Sequence, residues 1–320
     1  MLICMPLSAC GGKKSEDAVN LVAINADNVG LLPDIDYYVV PEPAASAKVK
    51  AMPNLNFVGD LQSLYGSGGY PQAVVVAKNE LFGTDVLNKF TAELSSSAQW
   101  LDSDDTSIET IVSVIQTHLT SGLVPSIKVQ NLTKSVIKNC GIKFVSSTDS
   151  KSEILSFMEK FNSISESSFG IPSDDFFCDA EGSAEYSRKI SVYAPDGAPA
   201  LGLAKLMAED SLGNTEFHIV DPNTVQTLVG GTDPKADVCV LPVNVAVKLL
   251  GNAKNYKLLG TLTHGNLYLL SKDNTLINGD NIKELKGKRV GVINLAAVPG
   301  LTFKLILNNY GMEFIEPYND

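Results

Sequence analysis

Apolar residues follow two different spacings along the chain. Short continuous apolar runs, typical of buried strands, occur at residues 36–40, 73–77, 190–193, 217–220, 238–241, 267–270 and 289–293. Apolar residues three and four positions apart, typical of amphipathic helices, occur at 84–101, 108–119, 151–164, 199–209, 243–250 and 301–309. From residue 189 onwards the two patterns alternate. This predicts an α/β fold of mostly parallel sheets covered by helices.

One stretch interrupts the pattern. Residues 179–188, DAEGSAEYSR, have no apolar period and a composition typical of a linker. The sequence before it, from residue 84, is predicted to be mostly helical, and the sequence after it is predicted to be α/β. The sequence therefore predicts a connection between two parts of the chain at 179–188.

Composition narrows the class of protein. The chain has 320 residues, 44% of them hydrophobic and 19% charged, which suits two globular domains. The net charge is −11, and lysine and arginine form no stripe. Because a nucleic-acid binder needs such a stripe to neutralise phosphates, we set that class aside.

Five cysteines are scattered along the chain without a C-x-x-C pair or zinc-type spacing. We interpret Cys140, Cys178 and Cys239 as buried small residues, although two of them could pair in an exported protein. The sequence does not say which.

The N-terminus suggests export. A short apolar run ends in Leu7-Ser8-Ala9-Cys10 and is followed by GGKK. This resembles a bacterial lipobox, in which Cys10 is the site of lipid attachment and residues 1–17 form signal and tether. The alternative is an apolar tail with a chance cysteine. If the signal is real, the protein is extracytoplasmic and anchored to the bacterial membrane.

Four junctions between a strand and a helix share one design. In each, proline or small residues open the helix, where a missing N–H costs nothing and the free N–H groups stay accessible. They are Val40-Pro41-Glu42-Pro43, the segment 193–199 (YAPDGAP), Leu241-Pro242-Val243-Asn244, and the segment 296–300 (AAVPG). Since ligands bind at the carboxyl ends of strands in open α/β sheets, the four junctions predict a ligand cleft.

These segments carry a family resemblance. KISVYAPDGAPALGLAKLM, ADVCVLPVNVAVKLL, LLGTLTHGNLYLLSKD and LKGKRVGVINLAAVPGLTFKLIL, together with DYYVVPEPAASAKV and GYPQAVVVAKNELF, resemble type 2 solute-binding proteins of ABC importers. The most similar subgroup binds thiamine precursors, nitrate or taurine. The resemblance covers residues 18–177 and 189–320. It implies a two-lobed fold with a ligand cleft between the lobes, a monomer, and an importer permease as partner.

The order of the segments departs from the family pattern. The family's second half comes first here, and residues 179–188 join its usual end to its usual beginning. This reads as a circular permutation, whether engineered, natural or an artefact of the gene model. We therefore expect one lobe to be split by the termini, from residues 18–53 and 273–320, with Asp17 close to Asp320. Residues 54–272 would form the other lobe.

The resemblance also implies the ligand contacts. From the continuous lobe they are Asp196, Gly197, Ala198, Pro199, Asn223, Thr224, Asn244, Thr263, His264, Gly265 and Asn266. From the split lobe they are Glu42, Ala297, Val298, Pro299, Gly300 and Thr302. The N–H groups of Ala198 and Gly300 would hold a carboxylate or phosphate.

Some of these roles have structural alternatives. His264 could contact a ligand ring or cap a turn, and Asp196 could contact the ligand or cap the next helix. Tyr65 and Tyr70 could line the cleft or pack beside it. We expect His118 and His218 to be structural.

The sequence thus predicts a solute-binding lipoprotein, not an enzyme, that delivers a small polar or anionic molecule to an ABC importer and needs no cofactor or metal. One alternative is an enzyme on the same fold, similar to the yeast-type pyrimidine synthases of thiamine biosynthesis. Those consume a histidine and carry a cysteine-rich iron motif, and no cysteine cluster is visible here. The other alternative is a surface sensor lipoprotein without a transporter.

Overall fold

A computed structural model describes residues 15–66, 68–165 and 169–316. Cys10 and Asp320 lie outside these ranges, so the expected lipid attachment and the expected proximity of Asp17 to Asp320 fall outside the described residues. No helix in the described ranges is long and apolar enough to cross a membrane.

Strands and helices alternate through most of the described chain. The strands are β1 Val19–Ile24, β2 Tyr37–Pro41, β3 Asn56–Asp60, β4 Pro71–Lys78, β5 Gly83–Thr84, β6 Ile142–Ser146, β7 Gly182–Ala184, β8 Ile190–Pro195, β9 Thr215–Val220, β10 Val238–Pro242, β11 Tyr256–His264, β12 Leu267–Ser271, β13 Arg289–Ile293 and β14 Phe314–Ile315. The helices are α1 Ala44–Ala51, α2 Leu61–Tyr65, α3 Asp85–Asp102, α4 Ile108–Thr117, α5 Lys134–Asn139, α6 Ser147–Ile164, α7 Ala198–Gly202, α8 Ala204–Glu209, α9 Val243–Leu250 and α10 Val298–Asn309.

The first sheet joins both ends of the described chain. Its strand order is β14-β1-β13-β2-β12-β3. β1 pairs in parallel with β14 and with β13, so Val19 lies beside Phe314 and Asn20 beside Arg289. The Val19 N–H also donates to the Glu313 carbonyl at 2.9 Å. Residues from the start and the end of the chain therefore belong to one sheet.

The second sheet is built from the middle of the chain. Its order is β6-β11-β4-β10-β8-β9. β8, β9 and β10 run in parallel, whereas β4 is antiparallel to both β10 and β11. Antiparallel pairs also occur in the first sheet, where β12 is antiparallel to β2 and β3. The fold is α/β, but both sheets are mixed; the expectation of mostly parallel sheets is corrected.

The chain crosses between the two sheets twice. Both crossings join the edge of one sheet where most of its strands end to the same kind of edge of the other sheet. In the first sheet the carboxyl ends of β1, β13, β2 and β3 lie at the edge where β12 begins. In the second sheet the carboxyl ends of β8, β9, β10 and β11 lie at the edge where β4 begins. Residues 61–70 run from β3 to β4, and residues 265–266 from β11 to β12. We call these two edges the linked edges.

Apolar packing follows the same layout. A large buried cluster contains Val39 and Val292 of the first sheet together with Val74 and Leu241 of the second. On that side α10 packs against α6 and α2. Separate clusters cover the opposite face of each sheet.

Several sequence expectations need correction. We assigned residues 54–60 and 267–272 to the continuous lobe, yet β3 and β12 pair within the first sheet because β12 lies beside β2. The segment 179–188 contains β7, which pairs with β5. β1, β6 and β11 were not predicted, and the helix expected at 199–209 is interrupted at Leu203 between α7 and α8.

Candidate functional site

The four predicted junctions all lie at the linked edges. β2 leads to α1 and β13 to α10 in the first sheet, while β8 leads to α7 and β10 to α9 in the second. β2 and β13 are adjacent parallel strands, and so are β8 and β10, so the two helix starts in each sheet lie next to each other. The sequence pattern therefore located the strand ends correctly.

The starts of these helices are poor in side-chain caps. The N-cap residues of α1, α7, α9 and α10 make no capping hydrogen bond. α3 and α8 likewise lack a side-chain cap, whereas α2, α4, α5 and α6 are capped by Asp60, Ser107, Thr133 and Ser146. Uncapped helix starts leave backbone N–H groups for a partner from outside the helix.

At the first junction Glu42 supplies the missing cap. It is buried, and its carboxylate accepts hydrogen bonds from the Ser46 N–H at 3.0 Å and the Ser46 hydroxyl at 2.6 Å. Burial raises the pKa of Glu42, while the bonds from Ser46 lower it. Both carboxylate oxygens are thus engaged by α1, and Glu42 positions that helix.

Asp196 behaves differently. It does not cap α7; its Oδ2 instead accepts the N–H of Ser126 at 2.7 Å, and its Oδ1 is buried without a hydrogen-bond partner. Gly197 beside it is buried, has φ +115°, and has no heavy atom within 4 Å of where a Cβ would stand. The alternative that Asp196 caps the helix is corrected. One oxygen of Asp196 therefore has no partner, and the neighbouring glycine leaves space where a side chain would stand.

Asn244 and Asn266 also carry buried side-chain oxygens without a hydrogen-bond partner. Asn244, in the first turn of α9, is 4% exposed and its Oδ1 has no partner. Asn266, in the second crossing, donates from Nδ2 to the Glu42 carbonyl at 3.0 Å, which leaves its Oδ1 buried and unpaired. Asn266 therefore presents an acceptor, with no freedom to exchange it for a donor.

The α10 junction is tightly packed. Thr302 is fully buried with an unpaired hydroxyl. Gly300 lies against the turn before it, since a Cβ there would stand 1.9 Å from the Leu295 carbonyl oxygen. Gly300 is thus required by packing within its own junction. Ala297, Val298 and Pro299 form the start of this helix.

Unpaired polar atoms are concentrated in these residues. Among the described residues, nine buried side-chain polar atoms have no hydrogen-bond partner. Five belong to the expected ligand contacts, namely Asp196, Asn244, His264, Asn266 and Thr302. Buried polar groups are nearly always paired in proteins, so these unpaired atoms are candidates for contacts with a bound molecule.

A pocket lies at the outer end of the second linked edge. It has a volume of about 470 Å³, and its walls include Tyr193, Asp221, Thr224 and Leu228. Asn223 is exposed beside it and donates from its side chain to Asp221. The Tyr193 ring stacks on His218, with centroids 4.5 Å apart. The predicted Asn223 and Thr224 thus lie near Asp196, because the Asp196 N–H donates to the Val220 carbonyl at 3.0 Å.

His264 lines a different pocket, of about 390 Å³, beside the crossings. Its neighbours there include Leu101, Ile137, Lys143 and Gly68. Burial, together with the nearby Lys143, lowers the pKa of His264 to about 4, so the imidazole is neutral at pH 7. Its Nδ1 is unpaired, and its Nε2 lies 3.9 Å from a carboxylate oxygen of Glu153.

The other residues singled out from the sequence have the following surroundings. Thr263 is buried and accepts the Ala73 N–H at 3.1 Å, and Gly265 packs on Gln62. Tyr70 is fully buried and stacks on Phe157, with Tyr65 edge-on to both rings. Ala198 and Pro199 belong to α7, a helix of five residues. His118 packs edge-on against Phe217.

Sequence reasoning missed four residues that shape the site. Gln62 accepts the Leu267 N–H at 2.7 Å and the Tyr70 hydroxyl at 3.1 Å, which ties the two crossings together. Lys50 of α1 donates to the Gln130 carbonyl, so α1 reaches the segment that also carries Ser126. Most of these contacts join residues far apart in sequence, and no local sequence pattern predicts them.

The described cysteines and the side chains that could bind a metal are considered together. Cys140, Cys178 and Cys239 are free thiols, and burial raises the pKa of Cys140 and Cys239. Within the described ranges, histidine, cysteine and carboxylates form no group that could hold a metal ion. Comparison with protein-family models and with curated proteins gave no match to this chain.

Proposed function

We propose that this chain is a solute-binding lipoprotein that captures a small polar molecule between two lobes and delivers it to an ABC importer. In this proposal each lobe contains one of the two sheets. The concentration of buried, unpaired polar atoms at the linked edges carries the proposal. A bound molecule would pair those atoms and so recover their desolvation cost.

The connections between the sheets support a clamp. Crossings 61–70 and 265–266 are short and bound to each other through Gln62. The chain passes between the two sheets at these two adjacent crossings, while α10 packs against α6 and α2 beside them. In the proposal the lobes rotate about the crossings, and closure buries a ligand between the linked edges. Anchoring at Cys10 and transfer to a permease are the parts of the proposal that rest on the sequence.

A thermal-shift screen tests capture. Pyrimidines, flavins, sulfonates, nitrate and amino acids are added singly, and any compound that raises the midpoint is titrated by calorimetry. We expect Asn244→Ala to weaken binding of that compound about tenfold or more, because a buried hydrogen bond is lost.

Asn308→Ala is the matched control, since Asn308 is exposed at the far end of α10. It should bind as the wild type does. A screen in which no compound shifts the midpoint, or equal affinity of the Asn244 and Asn308 variants, contradicts the proposal.

A further inference from the structure

The positions of the arginines constrain the ligand. Arginine is the side chain best suited to clamp a carboxylate or phosphate. The arginines of this chain are Arg188 and Arg289. Arg188 precedes β8 and pairs with Glu80 at 2.9 Å, and Arg289 is the first residue of β13, with Asp34 at 4.0 Å. Both therefore lie at the edges opposite the linked edges.

Acceptors dominate where the arginines are absent. The free atoms of Asp196 and Asn266 are oxygens that can only accept a hydrogen bond, because Asn266 has committed its amide nitrogen to Glu42. No lysine, arginine or histidine of the described residues forms an ion pair with Asp196 or Asp221. The partner that Asp196 and Asn266 lack is thus a donor.

The surroundings of Asp196 leave room for that donor. Gly197 has open space beside it, and the pocket of about 470 Å³ begins at the neighbouring strand end. Asp221 follows β9 as Asp196 follows β8, so the two carboxylates end adjacent parallel strands. Tyr193 adds an aromatic wall, which can also attract a cation. Lys235 lines the same pocket from an exposed position.

We propose that the captured molecule carries a protonated amine and that Asp196 is its counterion. This inference rests on the proposed function. It specifies a cationic ligand, where the sequence led us to expect a polar or anionic one. The buried Oδ1 of Asp196 accepts a hydrogen bond from the ammonium group, and the Oδ2 still accepts one from the Ser126 N–H. A ligand ammonium would thereby also fix the segment around Ser126 over the site.

Matched compounds that differ only in charge test this class. The full chain is titrated with benzylamine, benzyl alcohol and benzoate, and with 1,4-diaminobutane, 1,4-butanediol and succinate. We expect the amine of a set to raise the thermal midpoint more than its alcohol or acid. Asp196→Asn should lower affinity for that amine at least tenfold, because the charge–charge attraction is lost while the Ser126 bond can persist.

Asp175→Asn is the control, since Asp175 is an exposed carboxylate outside the site. A larger shift by the acids, or equal shifts by all members of a set, overturns the cationic class and leaves capture itself standing.

A readout without ligand decides the case in which no compound of the panel binds. The Oδ1 of Asp196 is buried without a partner, while its Oδ2 is bonded to the Ser126 N–H. Asp196→Asn removes the charge and can keep the Ser126 bond, so it should raise the midpoint of the free protein by about 2 °C or more. If the variant is no more stable than wild type, the charge of Asp196 is not an uncompensated one that needs a cation, and the inference is overturned.

Discussion

Replacing Gly141 with alanine is expected to lower the free energy of unfolding by about 2–4 kcal/mol. Gly141 has φ +62°, and a Cβ there would stand 2.3 Å from the Gly265 carbonyl oxygen and 2.5 Å from that of His264. The His264 N–H donates to the Gly141 carbonyl at 2.8 Å, so the second crossing cannot move away without losing this bond. Urea unfolding of the two proteins measures the difference.

Gly122 provides a matched control for this substitution. It has φ +85° but no heavy atom within 4 Å of a Cβ position. Gly122→Ala therefore tests the backbone conformation alone, at about 1 kcal/mol. If both variants lose the same stability, the second crossing is not held by close packing on Gly141.

The second large effect concerns acid. The unfolded His264 takes up a proton below about pH 6.5, whereas the native imidazole does so near pH 4. Between these values the unfolded state binds more protons, so the native state loses stability as the pH falls. The loss through His264 amounts to about 3 kcal/mol, because each pH unit contributes about 1.4 kcal/mol.

His264→Gln removes this loss. We expect the stability difference between pH 7 and pH 4 to be about 3 kcal/mol smaller in the variant than in wild type. Chemical denaturation at several pH values measures it. Glu153 lies 3.9 Å from the His264 Nε2, so His264→Gln is also measured in a Glu153→Gln background, where only the His264 contribution remains. His218→Gln, on a partly exposed histidine, is the control. An unchanged pH profile in His264→Gln would show that the imidazole is not held neutral.

Local patterns predicted the strand ends well. Proline and small residues at Pro41, Pro195, Pro242 and Pro299 mark junctions through the backbone geometry of the residue itself, so a single sequence reveals them. The apolar run 73–77 likewise became the central strand β4.

The pairing of strands that are distant in sequence could not be predicted from local patterns. β12 looks like any apolar strand, and only its register against β2 assigns it to the first sheet. β6 has partly buried side chains and lies between helices, so it carries no strong alternating pattern. The hydrogen bonds of Gln62 and Ser126 depend on residues that come together only after folding.

The junctions led us to the candidate site, but the chemistry that we propose there rests on other atoms. Free helix N–H groups suggested an anion. The unpaired oxygens of Asp196 and Asn266 and the distant arginines point to a donor instead. Which atoms remain unpaired is a property of packing, and sequence spacing does not contain it.

Closure of the two lobes is the central claim, and a distance across the linked edges tests it most directly. Spin labels are placed at Asp27→Cys, beyond β1, and Gln226→Cys, beyond β9, with Cys4, Cys10 and Cys178 changed to serine; both labelled positions are exposed. Ser95→Cys with Gln226→Cys gives a reference distance on the side of the second sheet. On binding the most stabilising compound, the 27–226 distance should shorten by more than about 2 Å while the 95–226 distance stays constant. A compound that binds and leaves the 27–226 distance unchanged would contradict the clamp.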